Sequence, residues 1–371
     1  MLTILTTKNY IMIKTINGWR AVFALMIVLF HVGVTGLEEM TWAGVSFFFM
    51  ASGMLLSMKY PFSTLDGTSY KRFAWKHAAK LYPLHWLVLV LWLIVMALAG
   101  ALVIKPLALT LNTLLLQSWS LVHSIYYSYN HFSWFLSTLL FCYLCYPLLA
   151  RWFTPLRRPF KVIILVVLAI IVFAVLAATG GDDYNRTALY VFPPMRLVDF
   201  LLGMVLMGIV RRCRRGQWMQ RAVTGTDAEL VAVAVLSATV MTCRASEWLL
   251  PWGDTMMWWL PVALILVVCV LYDKHEGPIG KLLASKPLQW LGDISFEIFI
   301  LQGLALLLYN YLLSPLLAHM GLTDVAGIVA ADLFGISGDR LLAICCVLPI
   351  DILIAWALNR LFTRPLSKRL K

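Results

Sequence analysis

Charge is what this sequence has least of. Only 13% of its 371 residues are Asp, Glu, Lys or Arg, against 61% hydrophobic ones, and its mean hydropathy is +0.84. That leaves too little polar surface to cover a soluble globule of this size, so a water-soluble enzyme is excluded and an integral membrane protein is expected. Acids are scarcer than bases, 18 against 30, for a formal net charge of +12. The bases form short collars between apolar runs and no continuous stripe, which excludes nucleic acid as a partner and leaves membrane lipid. Cysteine is sparse too. Its seven residues lie nearly all inside apolar runs, so no disulfide framework follows. Cys142-x-x-Cys145 falls within such a run and reads as packing rather than as a redox or metal motif, and no metal site is expected. A cleavable signal is not expected either, because the first apolar run leads into Glu38-Glu39 and another span with no small-residue cleavage site. No internal repeat or low-complexity tract stands out, and the spans leave no room for a soluble domain. Residues 1–371 are read as one transmembrane domain, with a short cytoplasmic segment at 1–17 and a basic tail at 361–371.

Long apolar runs are what the chain has in abundance. Segments close to the length that crosses the hydrocarbon core occur at about 18–36, 43–58, 82–104, 133–150, 162–179, 191–210, 229–243, 255–272, 289–313 and 340–360. The fold class is therefore all-α, a polytopic bundle of about ten transmembrane helices. The 105–132 stretch, rich in Tyr and Trp, is read as a re-entrant or interfacial piece. Placing the N-terminus in the cytoplasm puts 25 of the 30 basic residues on the inner side, from Lys8 to Lys371, and the acids Glu38, Glu39, Asp182, Asp183, Glu247 and Asp254 outside. Both termini are thus expected in the cytoplasm. Trp119, Tyr126, Tyr127, Tyr129 and Trp134 are expected to form an aromatic belt at the outer interface, with sugar stacking as the lesser reading.

Two residues in the first span carry chemistry. Arg20 and His31 are eleven residues apart, about three turns plus 20°, so a helix sets them on one face roughly 16 Å apart. An Arg near a helix end is explained by snorkelling; an imidazole inside the bilayer needs a partner or a proton-transfer role. Downstream, Arg72, Lys76 and Lys80 recur at helical spacing beside His77 and ahead of Tyr82-Pro83. Arg196 and Asp199 are three residues apart, the spacing of an intrahelical ion pair. Glu297 and Asp351 are two further intramembrane acids.

In this order the motifs resemble those of the acyltransferase 3 family of multi-pass membrane acyltransferases. The resemblance runs over essentially the whole chain: Arg20-x10-His31; Gly44-Val-x-Phe-Phe-Phe-x-x-Ser-Gly53; the basic run ending Leu81-Tyr82-Pro83; Trp134-Phe-Leu-Ser137; Pro194-x-Arg196-x-x-Asp199-Phe-Leu-Leu-Gly203; and Leu291-Gly-Asp-Ile-Ser295-Phe. The chain departs from the family pattern at three places. His77-x-x-Lys80 stands for the usual Arg pair, Leu139 and Leu140 for acidic residues, and Gln302 for a histidine. The departures resemble a polysaccharide-pathway branch. The resemblance implies transfer of an acyl group, acetyl foremost, from cytoplasmic acyl-CoA as co-substrate, with no permanently bound cofactor. It implies as acceptor a hydroxyl of an exopolysaccharide, capsule, O-antigen or lipid-linked precursor, and a bacterial inner membrane as location.

By the same resemblance His31 is the general base and Arg20 serves the donor. Arg72, Lys76, His77, Lys80 and Tyr82 hold the donor, with Arg and Lys suited to its phosphates. Ser52, Trp134, Ser137, Arg196 and Asp199 lie near the acceptor or support the site. Each has a structural rival: an interhelical hydrogen bond for His31, an anchor for Arg20, a positive-inside collar for the basic run, a buried ion pair for Arg196 and Asp199. A transporter or flippase for a polysaccharide or lipid-linked sugar is the alternative function, though it calls for two matching halves that the sequence does not show.

Overall fold

Backbone N–H and C=O groups in lipid must be bonded within their own segment, and this chain meets that demand with helices. The computed structural model describes residues 13–60, 67–152, 190–216, 222–245, 255–273, 277–321 and 338–369. Among the described residues every regular element is helical. In chain order they are α1 (Lys14–His31), α2 (Glu38–Lys59), α3 (Gly67–Leu98), α4 (Pro106–Thr113), α5 (His123–Tyr126), α6 (Trp134–Trp152), α7 (Pro193–Gly216) and α8 (Gly225–Ala245). After these come α9 (Trp259–Leu271), α10 (Pro278–Leu283), α11 (Lys286–Asp293), α12 (Ser295–Leu308), α13 (Ser314–His319), α14 (Gly338–Leu358) and α15 (Arg364–Arg369). Short π-helical turns at Tyr309–Leu313 and Asn359–Thr363 join α12 to α13 and α14 to α15. Seven helices among the described residues are long and apolar enough to cross a membrane, with α9 a shorter apolar one. The chain is a polytopic, all-helical membrane protein. The expected span at 162–179 lies outside the described residues.

Helix limits follow local chemistry. Helix α1 stops at His31 because the next turn needs Gly33 at φ +95°, in the left-handed region that costs other residues strain. Helix α3 starts at Gly67, well ahead of its apolar run at 82–104, since the basic residues from Lys71 to Lys80 supply its first turns. It ends before Gly100 at φ +67°. Proline opens α4, α7 and α10, where its missing N–H costs nothing.

The helices gather into two compact units. The first contains the chain up to Val22, Trp42–Phe73 and Phe141–Asp293; the second contains Phe23–Thr41, Ala74–Leu140 and Ile294 onward. In the first unit α2 and α7 meet backbone to backbone. A Cβ on Gly53 would run into the Phe200 carbonyl, and one on Gly203 into the Met50 carbonyl, which is the close approach that small residues permit. In the same unit the Asn17 amide bonds Gln289 O and Asp293 Oδ1, each at 3.1 Å, and Gly292 sits against Asn17 with no room for a side chain. Glu229 of α8 accepts the N–H groups of Gly277, Ile279 and Gly280 at 2.9, 3.0 and 2.9 Å, capping α10.

In the second unit α12 packs along α14, and Asn359 donates to Glu297 at 2.8 Å between them. The 105–132 stretch of this unit is a folded insert of short helices. Its backbone is held by side chains: Tyr82 bonds Leu114 O at 2.8 Å, His85 bonds Asn112 O at 2.8 Å, Trp86 bonds Thr113 O at 2.9 Å and Ser137 bonds Leu115 O at 2.6 Å. Four successive carbonyls at the end of α4, where a helix leaves its last carbonyls without intrahelical partners, thereby gain side-chain donors.

Candidate functional site

His31 is the last residue of α1 and lies in the second unit. Its Nδ1 is 2.7 Å from the carbonyl oxygen of Ile27. A carbonyl only accepts, so Nδ1 carries the proton, and in the neutral ring Nε2 keeps its lone pair. The ring is held between aromatic edges, Phe30 at 5.0 Å and Phe132 at 4.7 Å between centroids, both close to perpendicular. Gln302 of α12, itself fully buried, lies against the imidazole, and its Oε1 has no hydrogen-bond partner among the described residues. More than a third of His31 is nonetheless accessible. A base held by one nitrogen, with the lone pair left on the other, can take a proton from a hydroxyl brought to it.

The insert brings a second imidazole to the same place. The loop Ser128–Ser133 carries His131, which neighbours His31 across the Phe132 ring, 6.2 Å from the one centroid and 4.7 Å from the other. The His131 ring stacks on Tyr127 at 3.9 Å and 18°, and His123 stands 6.5 Å from it. Asn130 anchors the loop to α12 by donating to Ile300 O at 3.1 Å, and its Oδ1 lies against Gly303. No group of three among the described His, Cys, Asp and Glu residues is close enough to hold a metal ion. Sequence reasoning missed His131 and His123. The only signal was their place in the aromatic stretch before Trp134, and their approach to His31 depends on tertiary packing.

The remaining expected residues fall into distinct settings. Arg20 is half-buried on α1 in the first unit. Along α3, Arg72 is exposed, Lys76 and Lys80 are half-buried, and His77 is buried at 7% accessibility. Arg72, Lys76 and Lys80 follow one stripe of that helix, as their spacing requires. The Tyr82 hydroxyl is engaged by the insert through Leu114, and its ring lies 5.2 Å from that of Trp86. Ser52 bonds back to Phe48 O at 2.7 Å, Ser137 is taken by Leu115, and Trp134 is buried.

Arg196 and Asp199 are both buried in the first unit and form an ion pair at 2.9 Å. The pair is fully dressed. Arg196 also donates to Tyr190 O at 2.6 Å and Ser46 Oγ at 3.3 Å and stacks on the Tyr190 ring, and Trp259 donates to Asp199 Oδ1 at 2.6 Å. That is the arrangement of a pair orienting α7 against α2 and α9. The aromatic belt is split by the fold: Trp119 is exposed at 41%, whereas Tyr126 and Trp134 are buried and Tyr129 bonds the Lys105 backbone. Two of the five rings, Tyr126 and Trp134, are used in packing.

A family model described as an acyltransferase domain, acyltransferase 3, matches residues 13–360. A curated relative, acyltransferase MdmB of Streptomyces mycarofaciens, is 27% identical over 299 residues, covering 72% of this chain and 70% of that protein. No solved structure matches.

Proposed function

Because the chain belongs to the acyltransferase 3 family, we propose that it moves an acyl group, acetyl foremost, from acyl-CoA to a carbohydrate hydroxyl, with His31 as general base. Acyl transfer itself follows from the family; donor, acceptor and base are the proposal. The observation that carries it is the 2.7 Å contact of His31 Nδ1 with Ile27 O, which leaves Nε2 as the basic nitrogen. In the step proposed, Nε2 takes the proton of the acceptor hydroxyl as its oxygen attacks the thioester carbonyl. The C–S bond then breaks, and the imidazolium returns the proton to the departing coenzyme A thiolate, so no proton is gained or lost. Transfer is taken as direct in this reading.

The donor side of the proposal rests on chemistry. Arg72, Lys76, His77 and Lys80 on α3 suit the phosphates of coenzyme A, and Arg20 on α1 is assigned to the donor. A surface polysaccharide or its lipid-linked precursor is the proposed acceptor, and a bacterial inner membrane the proposed location. The transport alternative would have Arg196, Asp199, Glu297 and Asp351 line a path, and the first two are engaged with each other and with Trp259.

Membranes bearing wild-type protein or His31→Ala at equal expression, incubated with labelled acetyl-CoA, test the reading. Label is expected in the carbohydrate fraction with wild type and reduced by at least about a hundredfold in the variant, the contribution of a positioned general base. Equal label in both removes His31 from the step.

A further inference from the structure

We infer that the Tyr127–His131 stack is the acceptor platform, a surface on which a pyranose ring lies so that one hydroxyl reaches His31. The inference rests on the acyl-transfer reading and adds to it the place and the shape of the acceptor subsite.

Three observations converge on it. First, Tyr127 and His131 form a parallel stack at 3.9 Å, and more than a third of His131 stays accessible although the ring is close-packed on one face. A flat amphipathic ring pair, apolar on its face and polar at its edge, suits a sugar: C–H groups pack on the face while hydroxyls meet the imidazole and phenol edges. Second, Phe132 links this stack to the base, its ring standing 4.7 Å from His31 and 6.2 Å from His131. His31 and His131 are thus neighbours across one buried ring, both with accessible surface. Third, the loop bearing His131 is rigidly mounted. Asn130 is tied to α12 at Ile300, and Asn112 and Gln117 both donate to Ser133 Oγ, at 3.2 and 3.0 Å, which in turn donates to Asn130 O at 2.7 Å. A platform for positioning needs such support, because an ångström of play costs rate.

Two other uses of the cluster fit less well. A metal would need the imidazoles to converge, and among the described residues no such group of three exists. A proton-exit chain through His131 and His123 has nothing to carry, since direct transfer ends with the proton on the thiol.

Saturation-transfer difference NMR on the protein in lipid nanodiscs tests the platform, using methyl β-pyranosides of glucose, galactose and N-acetylglucosamine as probes and sorbitol as an acyclic control. Ring protons of at least one pyranoside are expected to receive saturation in wild type and in His31→Gln, with sorbitol silent. In Tyr127→Ala and His131→Ala the signal should drop roughly three- to tenfold, the worth of one aromatic contact, and Tyr127→Trp should retain it if the alanine variants are misfolded. Undiminished signal in the double alanine variant, or none with any pyranoside on folded wild type, overturns the platform. The readout is binding without turnover. If His31→Gln still transfers acyl groups, the proposed base is what fails, and the platform stands or falls on its own result.

Discussion

At the scale of single residues, what a side chain can do here is set by which of its atoms are already spoken for. His31 spends Nδ1 on the backbone of its own helix and keeps Nε2. Ser52 and Ser137 spend their hydroxyls on carbonyls, so as they stand they hold backbone in place. Arg196 and Asp199 share residue type and spacing with many binding pairs, yet they are surrounded by Ser46, Tyr190 and Trp259 and have no accessible surface to offer. Removing one charge of a buried pair strands the other. Asp199→Asn should cost about 3–5 kcal/mol of stability, seen as a lowered thermal midpoint in nanodiscs, while the KM for acceptor in the folded fraction stays unchanged. A raised acceptor KM at normal stability would return the pair to the substrate.

At the scale of elements, the proposed acceptor platform rests on the 105–132 insert. Its short helices cannot stand alone: α4 has eight residues and α5 four, below the length at which an isolated helix persists in water. Side chains from α3 and α6 hold it by donating to its carbonyls, and one of them is Tyr82, which the family resemblance assigns to the acyl donor. Tyr82→Phe separates the two roles. Loss of the Leu114 bond alone should lower stability by about 1 kcal/mol and leave the KM for acyl-CoA unchanged. A several-fold rise in that KM at unchanged stability would instead mark Tyr82 as a donor contact. The same logic explains the α2–α7 pair, where Gly53 and Gly203 are required because a carbonyl of the facing helix occupies the space of a Cβ.

At the scale of the whole molecule, the distribution of bases makes a prediction of its own. A reporter fused after Lys371 should behave as cytoplasmic, a fluorescent protein maturing and an alkaline phosphatase staying inactive; the opposite pattern would reverse the orientation of every span. Much of the molecule was legible in the sequence by itself. Low charge and repeated apolar runs determined a polytopic helical bundle, because lipid leaves a spanning backbone few other options. The Arg20-x10-His31 spacing and the ordered motifs determined the family and the residue to suspect as the base, since composition and spacing along one helix are local properties. The aromatic stretch before Trp134 was recognisable as an insert, but its rings read as an interfacial belt. Only the tertiary structure decided that Phe132 sets His131 and its Tyr127 stack beside His31, that Gln302 lies against the His31 ring, that Tyr82 and Ser137 hold the insert, and that Arg196 and Asp199 are closed upon each other. Those are contacts between residues as much as 271 positions apart, His31 with Gln302, and no period or motif within a segment encodes which distant helix face will cover it.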